Sequence, residues 1–190
     1  MFKAEHFQLI RGRKLAADDW VVVPELADST GNVANGVSPA PTDANGKFFL
    51  LPLSGWLEQR QSLIAMKQSA GSPLGVWLAP TDDPALLEHD LALLDLIAVH
   101  FPKFVDGRGY STATLLRQRF GYRGELRAFG DVGRDQLFYL ARVGFDSFLI
   151  SEGRDAAAAL KSLDDFPESY QTAVDQAIPL FRRRDSQALA

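Results

Sequence analysis

Two short segments concentrate side chains able to do chemistry. The first is Val105-Asp106-Gly107-Arg108-Gly109-Tyr110-Ser111. Its glycines let the backbone approach a ligand closely, and Ser111 is placed to cap a following helix, whose free N–H groups favour an anion. Arg108 supplies a forked, permanently charged donor suited to an oxyanion. The second is Arg127-Ala128-Phe129-Gly130-Asp131-Val132-Gly133-Arg134-Asp135-Gln136. Asp131 falls where a strand ends, and Asp135 and Gln136 open the next helix. If the two strands are neighbours, Asp106, Arg108, Arg127 and Asp131 converge on one edge. There the arginines would clamp an anion and Asp106 or Asp131 would act as acid or base; Tyr110 and Ser111 complete the anion- or partner-binding set. A structural alternative pairs Asp106 with Arg127 and leaves Asp131 as a cap, so that the same residues tie loops together.

Positioning both segments requires strands that feed helices, and the apolar pattern supplies them. From Phe48, short apolar runs (FFLLPL, GVWLAP, LIAVHFPKFVDG, ELRAFG, DSFLI) alternate with helical stretches. The helices are expected over Ser54–Ala70, from Pro84 to about Leu94, over Ser111–Phe120, over Arg134–Arg142 and from Asp155. Alternation of this kind signals βαβ units and a mostly parallel sheet. Five βα units are too few for a complete eight-fold barrel. The fold class is therefore α/β, with a partial TIM-barrel-like sheet favoured and an open doubly wound, flavodoxin-like sheet as the alternative. Residues 1–26 read as an N-terminal β-hairpin or arm, 27–46 as a flexible loop rich in Gly, Pro, Ser and Asn, 47–180 as the α/β domain, and 181–190 as a disordered basic tail. Edge strands left open by an incomplete barrel point to a homodimer.

Composition narrows the function classes. The chain of 190 residues has 20 basic and 24 acidic side chains, a net charge of -4, which argues against a nucleic-acid binder. Between Lys103 and Arg154, however, nine basic residues face six acidic ones, so this segment alone is positive and could steer an anionic ligand or an acidic partner. No apolar run approaches the length of a membrane span, and the N-terminus lacks the apolar stretch of a signal peptide, which makes a cytoplasmic location the default. The absence of cysteine removes thiolate chemistry, Cys-bound zinc and Cys-held iron–sulfur clusters. The three histidines, His6, His89 and His100, have no metal-ligand spacing. His100, inside LIAVHFP, reads as a hydrogen-bonded core or rim histidine rather than a base. Neither a dinucleotide fingerprint nor a P-loop nor a serine-hydrolase elbow is present, so a flavin remains possible without a motif to support it.

The stretch from Phe101 to Ile150 resembles an uncharacterised bacterial family labelled as oxidoreductases of sulfite reduction and encoded near sulfite reductase genes. The resemblance rests on Phe104, Asp106 to Ser111, Leu115-Leu116-Arg117, Gly121-Tyr122, Gly124 to Ala128, Gly130-Asp131-Val132, Asp135-Gln136-Leu137 and Gly144-Phe145-Asp146. It extends more weakly to the N-terminal hairpin, to Trp20 and to Tyr170-Gln171. What it implies is a place in assimilatory sulfite reduction, with sulfite reductase or another sulfate-assimilation protein as partner. Six-electron sulfite reduction needs siroheme and an iron–sulfur cluster, which a chain without cysteine cannot hold in the usual way. The expectation is therefore an accessory protein that binds a pathway enzyme or an oxyanion at the sheet's carboxyl edge. A small-molecule enzyme with an anion or flavin site and a purely structural module are the alternatives.

Overall fold

The computed structural model describes residues 7–24, 42–43 and 46–183. The expected flexible loop lies almost wholly outside the described residues, as does the tail beyond residue 183. Eight strands form one sheet: β1 (Gln8–Arg11), β2 (Lys14–Ala16), β3 (Trp20–Val22), β4 (Phe48–Pro52), β5 (Gly75–Leu78), β6 (Leu96–Phe101), β7 (Glu125–Gly130) and β8 (Ser147–Ile150). Their spatial order is β2-β1-β8-β7-β6-β5-β4-β3. The six strands from β3 to β8 run parallel in chain order, and β1 adds to β8 antiparallel. The α/β class is as expected, and the strand order contains no reversal.

Residues 8–22 supply both ends of this sheet. The hairpin β1–β2 turns at Gly12-Arg13, both with positive φ, as a two-residue hairpin loop that follows the strands' twist requires. From β2 at one end the chain reaches β3 at the other through Ala17, Asp18 and Asp19 alone. Seven inter-strand spacings laid flat would separate the ends by about 34 Å, whereas four extended residues span about 14 Å. The sheet must therefore curl until its ends approach, and it forms a half-barrel.

Curling separates two apolar layers. Outward-facing Val76, Leu78, Ile97, Val99, Phe101, Leu126, Ala128 and Phe148 pack under the helices with Trp56, Leu116, Leu137 and Leu140. Inward-facing Leu9, Trp20, Leu50, Trp77, Leu96, Ala98, Phe129 and Leu149, all strand residues, fill the concave side. The strands are apolar on both faces because both faces are buried.

The helices lie between the strands. α1 (Leu53–Ala70) ends at Gly71 in the left-handed conformation, its N–H closing on the Lys67 carbonyl. The stretch after Pro84 departs from expectation: only a 3-10 turn, Pro84–Leu87, forms. Beyond it Asp90, 2% exposed, is drawn onto α1 by the Trp56 indole (3.1 Å) and Arg60 (2.7 Å), and these tertiary bonds override helix propensity. α2 (Arg108–Thr114) runs into a π-turn, Leu115–Arg119. There Arg117 donates to the carbonyls of Tyr122, Gly124 and Gly144, at 2.8–2.9 Å, and pairs with Asp146. α3 (Leu137–Arg142) follows a 3-10 turn at Arg134–Gln136, and α4 (Ala156–Lys161) is capped by Asp155, as the sequence predicts.

Candidate functional site

The loops after β6, β7 and β8 meet at the carboxyl ends of the parallel strands, where ligands of α/β proteins bind. The sequence places its densest polar residues here, and the structure brings most of them together. Asp106 accepts two bonds from the Arg108 guanidinium (Nε to Oδ1 3.0 Å, Nη2 to Oδ2 2.7 Å) and one from the Arg108 backbone N–H. This fork holds the Asp106 carboxyl down at about 2. Asp131 accepts the Phe104 N–H at 2.9 Å on one oxygen and Arg154 on the other, and Arg154 together with the Phe104 bond keeps its carboxyl below the ordinary range. Arg154 also donates to the Val132 carbonyl. Both candidate acid/base groups are thus ionised and spoken for by arginines.

Gln136 is 8% exposed and pins two loops at once. Its Oε1 accepts the Gly133 N–H at 2.8 Å and its Nε2 donates to the Phe104 carbonyl at 3.1 Å. Phe104 is therefore held at both its N–H and its carbonyl. Gly109 is buried, and a Cβ there would lie 2.5 Å from the Phe101 ring, so packing against Phe101 requires glycine at this position. Tyr110 lies between Phe101, edge-on at 5.6 Å, and Tyr139, tilted at 5.4 Å, and burial pushes its hydroxyl up. Ser111 does not cap its helix: α2 begins three residues earlier at Arg108, leaving Ser111 exposed within it. Asp135 is exposed in the first turn after Gly133.

Arg127 is not part of this edge. It occupies the third position of β7, its side chain points into the concave side, and it is 1% exposed. Its Nη1 meets Asp18 and its Nη2 meets Glu125, both at 2.8 Å; Glu125 also accepts the Ser147 hydroxyl at 2.6 Å and faces Arg11 at 3.6 Å. Burial alone would raise the Glu125 carboxyl, and Arg127 with Ser147 outweighs it and holds the group below its ordinary value. The expected pairing of Asp106 with Arg127 is replaced by Asp106 with Arg108. His100 also faces the concave side, stacked on Phe129 at 4.9 Å with Trp77 edge-on at 6.0 Å, and burial lowers its pKa.

Among its exposed charged residues the edge also presents apolar side chains to solvent. Val105 is 84% exposed, Phe104 46% and Tyr139 52%. The signal for the first two was in the sequence: Pro102 ends the strand, so the following Phe104-Val105 cannot continue it, yet LIAVHFPKFV reads as one apolar run. Arg154, which latches the Asp131 loop, gave no local signal.

Beside Phe104 a cleft of about 500 Å³ opens between the β7 and β8 loops, floored by Ile150, Ala158 and Ala159 and rimmed by charged residues. Among the described residues no group of three or more His, Asp or Glu side chains is placed to hold a metal ion, and no helix is long and apolar enough to cross a membrane. No curated protein and no solved structure matches the chain. Residues 75–181, from β5 through α4 and beyond, match the family described as bacterial protein of unknown function (DUF934), which covers more than half of the chain and every loop of this edge: the chain belongs to that family.

Proposed function

We propose that this protein is an accessory component of assimilatory sulfite reduction that docks on a pathway protein through the carboxyl edge of its sheet. The observation that carries the reading is a stiff loop with an apolar tip. Phe104 and Val105 face solvent while backbone and side-chain bonds from Asp131, Gln136 and Arg108 fix the loop that bears them. An exposed apolar tip gains nothing for the isolated chain, and a preorganised one loses little entropy on association. Tyr139 and Tyr110 lie beside it, adding aromatic surface of the type enriched at interface centres.

Charge supports docking over anion capture. Of the basic residues that make the segment from Lys103 to Arg154 positive, Arg108, Arg117, Arg127, Arg142 and Arg154 are each paired with an internal carboxylate. An oxyanion at Arg108 or Arg154 would have to displace one of those carboxylates. The sulfite-reduction context rests on the resemblance of the Phe101–Ile150 stretch. We also read the half-barrel as partial TIM-barrel-like rather than flavodoxin-like, on the support of its strand order, which shows no reversal.

Calorimetry of the purified chain against sulfite reductase from the same organism tests the reading. Binding at micromolar affinity or tighter is expected, weakened at least tenfold by Val105→Asp, with the melting temperature of that variant unchanged because Val105 is solvent-exposed. Binding that is undetectable, or indifferent to Val105→Asp, overturns it.

A further inference from the structure

The cleft beside Phe104 shares that residue with the apolar tip, and its lining carries an unusual charge set. Two cations, Arg134 and Arg154, and three carboxylates, Asp131, Asp135 and Asp155, surround the apolar floor of Ile150, Ala158 and Ala159. Arg154 and Asp131 neutralise each other. Asp155, which lines the cleft, accepts the Ala158 N–H with Oδ1, at 2.9 Å, and its second oxygen has no hydrogen-bond partner among the described residues. Arg134 and Asp135 are exposed, and neither side chain has a hydrogen-bond or ion-pair partner among the described residues. The groups left over are one guanidinium and two carboxylates around an apolar patch. A simple anion meets Asp135 and Asp155 as well as Arg134, and a simple amine meets Arg134 as well as the carboxylates. A molecule carrying both charges and a hydrocarbon branch satisfies all of them.

We propose that this cleft binds a free α-amino acid with an aliphatic side chain. Its carboxylate lies on Arg134, its ammonium on Asp135 and Asp155, and its side chain on Ile150, Ala158 and Ala159. The cleft volume of about 500 Å³ is in the range of small-ligand pockets, at roughly 300–1,000 Å³. Its position, at the carboxyl ends of two adjacent parallel strands, is where such folds place ligands. Although Phe104 belongs to both, Val105 belongs to the tip and not to the cleft, so a Val105 variant separates this inference from the docking reading.

Methyl NMR of the isolated chain tests it with three probes: L-leucine, N-acetyl-L-leucine and L-leucinamide. Leucine should shift the methyl signals of Ile150, Ala158 and Ala159 and bind at least tenfold more tightly than either blocked form. Arg134→Gln, a change at an exposed side chain, should bring leucine down to the affinity of leucinamide, and Val105→Asp should leave leucine binding unchanged. If N-acetyl-leucine or leucinamide binds as tightly as leucine, the cleft reads a polypeptide terminus and the proposal fails. If leucine moves none of these methyls up to its solubility limit, or binds Arg134→Gln as well as it does the parent chain, the proposal fails outright.

Discussion

Two clusters of the same residue types, one inside the half-barrel and one on its rim, behave in opposite ways. Inside, Arg127 holds Asp18 and Glu125 with its guanidinium 1% exposed. On the rim, Arg108 holds Asp106 with the guanidinium 57% exposed. The bond lengths of the two clusters are similar, 2.7–3.0 Å at Arg108 and 2.8–3.2 Å at Arg127, although Arg108 grips one carboxylate and Arg127 bridges two. What differs is the solvent: water at the rim replaces a lost partner, and inside nothing does. The inner cluster therefore secures the fold and the outer one shapes a loop. Asp18 sits in the three-residue connector that joins the two ends of the sheet, so its bond to Arg127 fastens that connector across the concave side.

The largest expected effect comes from breaking the inner cluster. Arg127→Leu removes the closest cation from two largely buried carboxylates, leaving Glu125 with the Ser147 hydroxyl and Arg11 at 3.6 Å and Asp18 with the Trp20 N–H, and should destabilise the chain by about 3–5 kcal/mol in urea denaturation. Replacing Glu125 as well, Arg127→Leu with Glu125→Leu, should recover part of that loss, because only Asp18 is then left without its cation. Amide exchange at Ala17, Asp18 and Asp19 should rise more in Arg127→Leu than exchange in β6. A single variant within about 1 kcal/mol of the parent, the range of a surface pair, would mean that the connector is held by packing of Trp20 rather than by charge.

That distinction was half visible in the sequence. Glu125, Arg127 and Phe129 alternate along ELRAFG, so two-residue periodicity puts them on one face of a strand, away from a loop at its end. Read as part of a polar cluster with Asp131, Arg127 was assigned to the edge; read by strand parity, it belongs inside. Its partner Asp18 is 109 residues away, and no local pattern announces a bond of that span. The βα units were legible because each strand is a compact apolar run, and because Asp83 and Asp155 stand where helical turns begin. The helix expected after Pro84 stops short because Asp90, polar in sequence, is buried against α1. The curl of the sheet depends on where β3 docks, at the far end from the hairpin that precedes it by three residues. Of the edge, the loops and the paired carboxylates were legible. The exposed Phe104-Val105 tip was hidden inside what looked like a strand.

A smaller effect is expected at Gln136, which stands between the two regimes: buried like Arg127, yet serving the rim loop. Gln136→Leu keeps the volume and removes the acceptor for the Gly133 N–H and the donor to the Phe104 carbonyl. The cost should be about 1–2 kcal/mol, the scale of leaving partly buried backbone groups unsatisfied. The sharper readout is local: exchange at the Phe104 amide should accelerate while exchange in β7 stays slow. Affinity for a docking partner should fall with it, since the loop would then be ordered only on binding. A loop as protected as the parent's would show that the Asp131 bond alone fixes it.

The smallest effect belongs to the rim pair, and it is best seen in titration rather than in unfolding. Arg108→Ala should leave the urea midpoint unchanged within error, against the large shift for Arg127→Leu. The carboxyl carbon of Asp106 should titrate at about 2 in the parent chain and return toward 3.8 in Arg108→Ala. A carboxyl whose pKa is depressed by folding stabilises the native state fully above its unfolded pKa, and that contribution is lost as pH falls through the native value. For Asp106 the window lies between about pH 4 and pH 2, so at neutral pH the pair is fully formed and acid alone should loosen it. An Asp106 midpoint near 3.8 in the parent chain would mean the fork is open in solution. The rim loop would then owe its shape to Asp131 and Gln136, and the likeness between the inner and outer clusters would end at residue type.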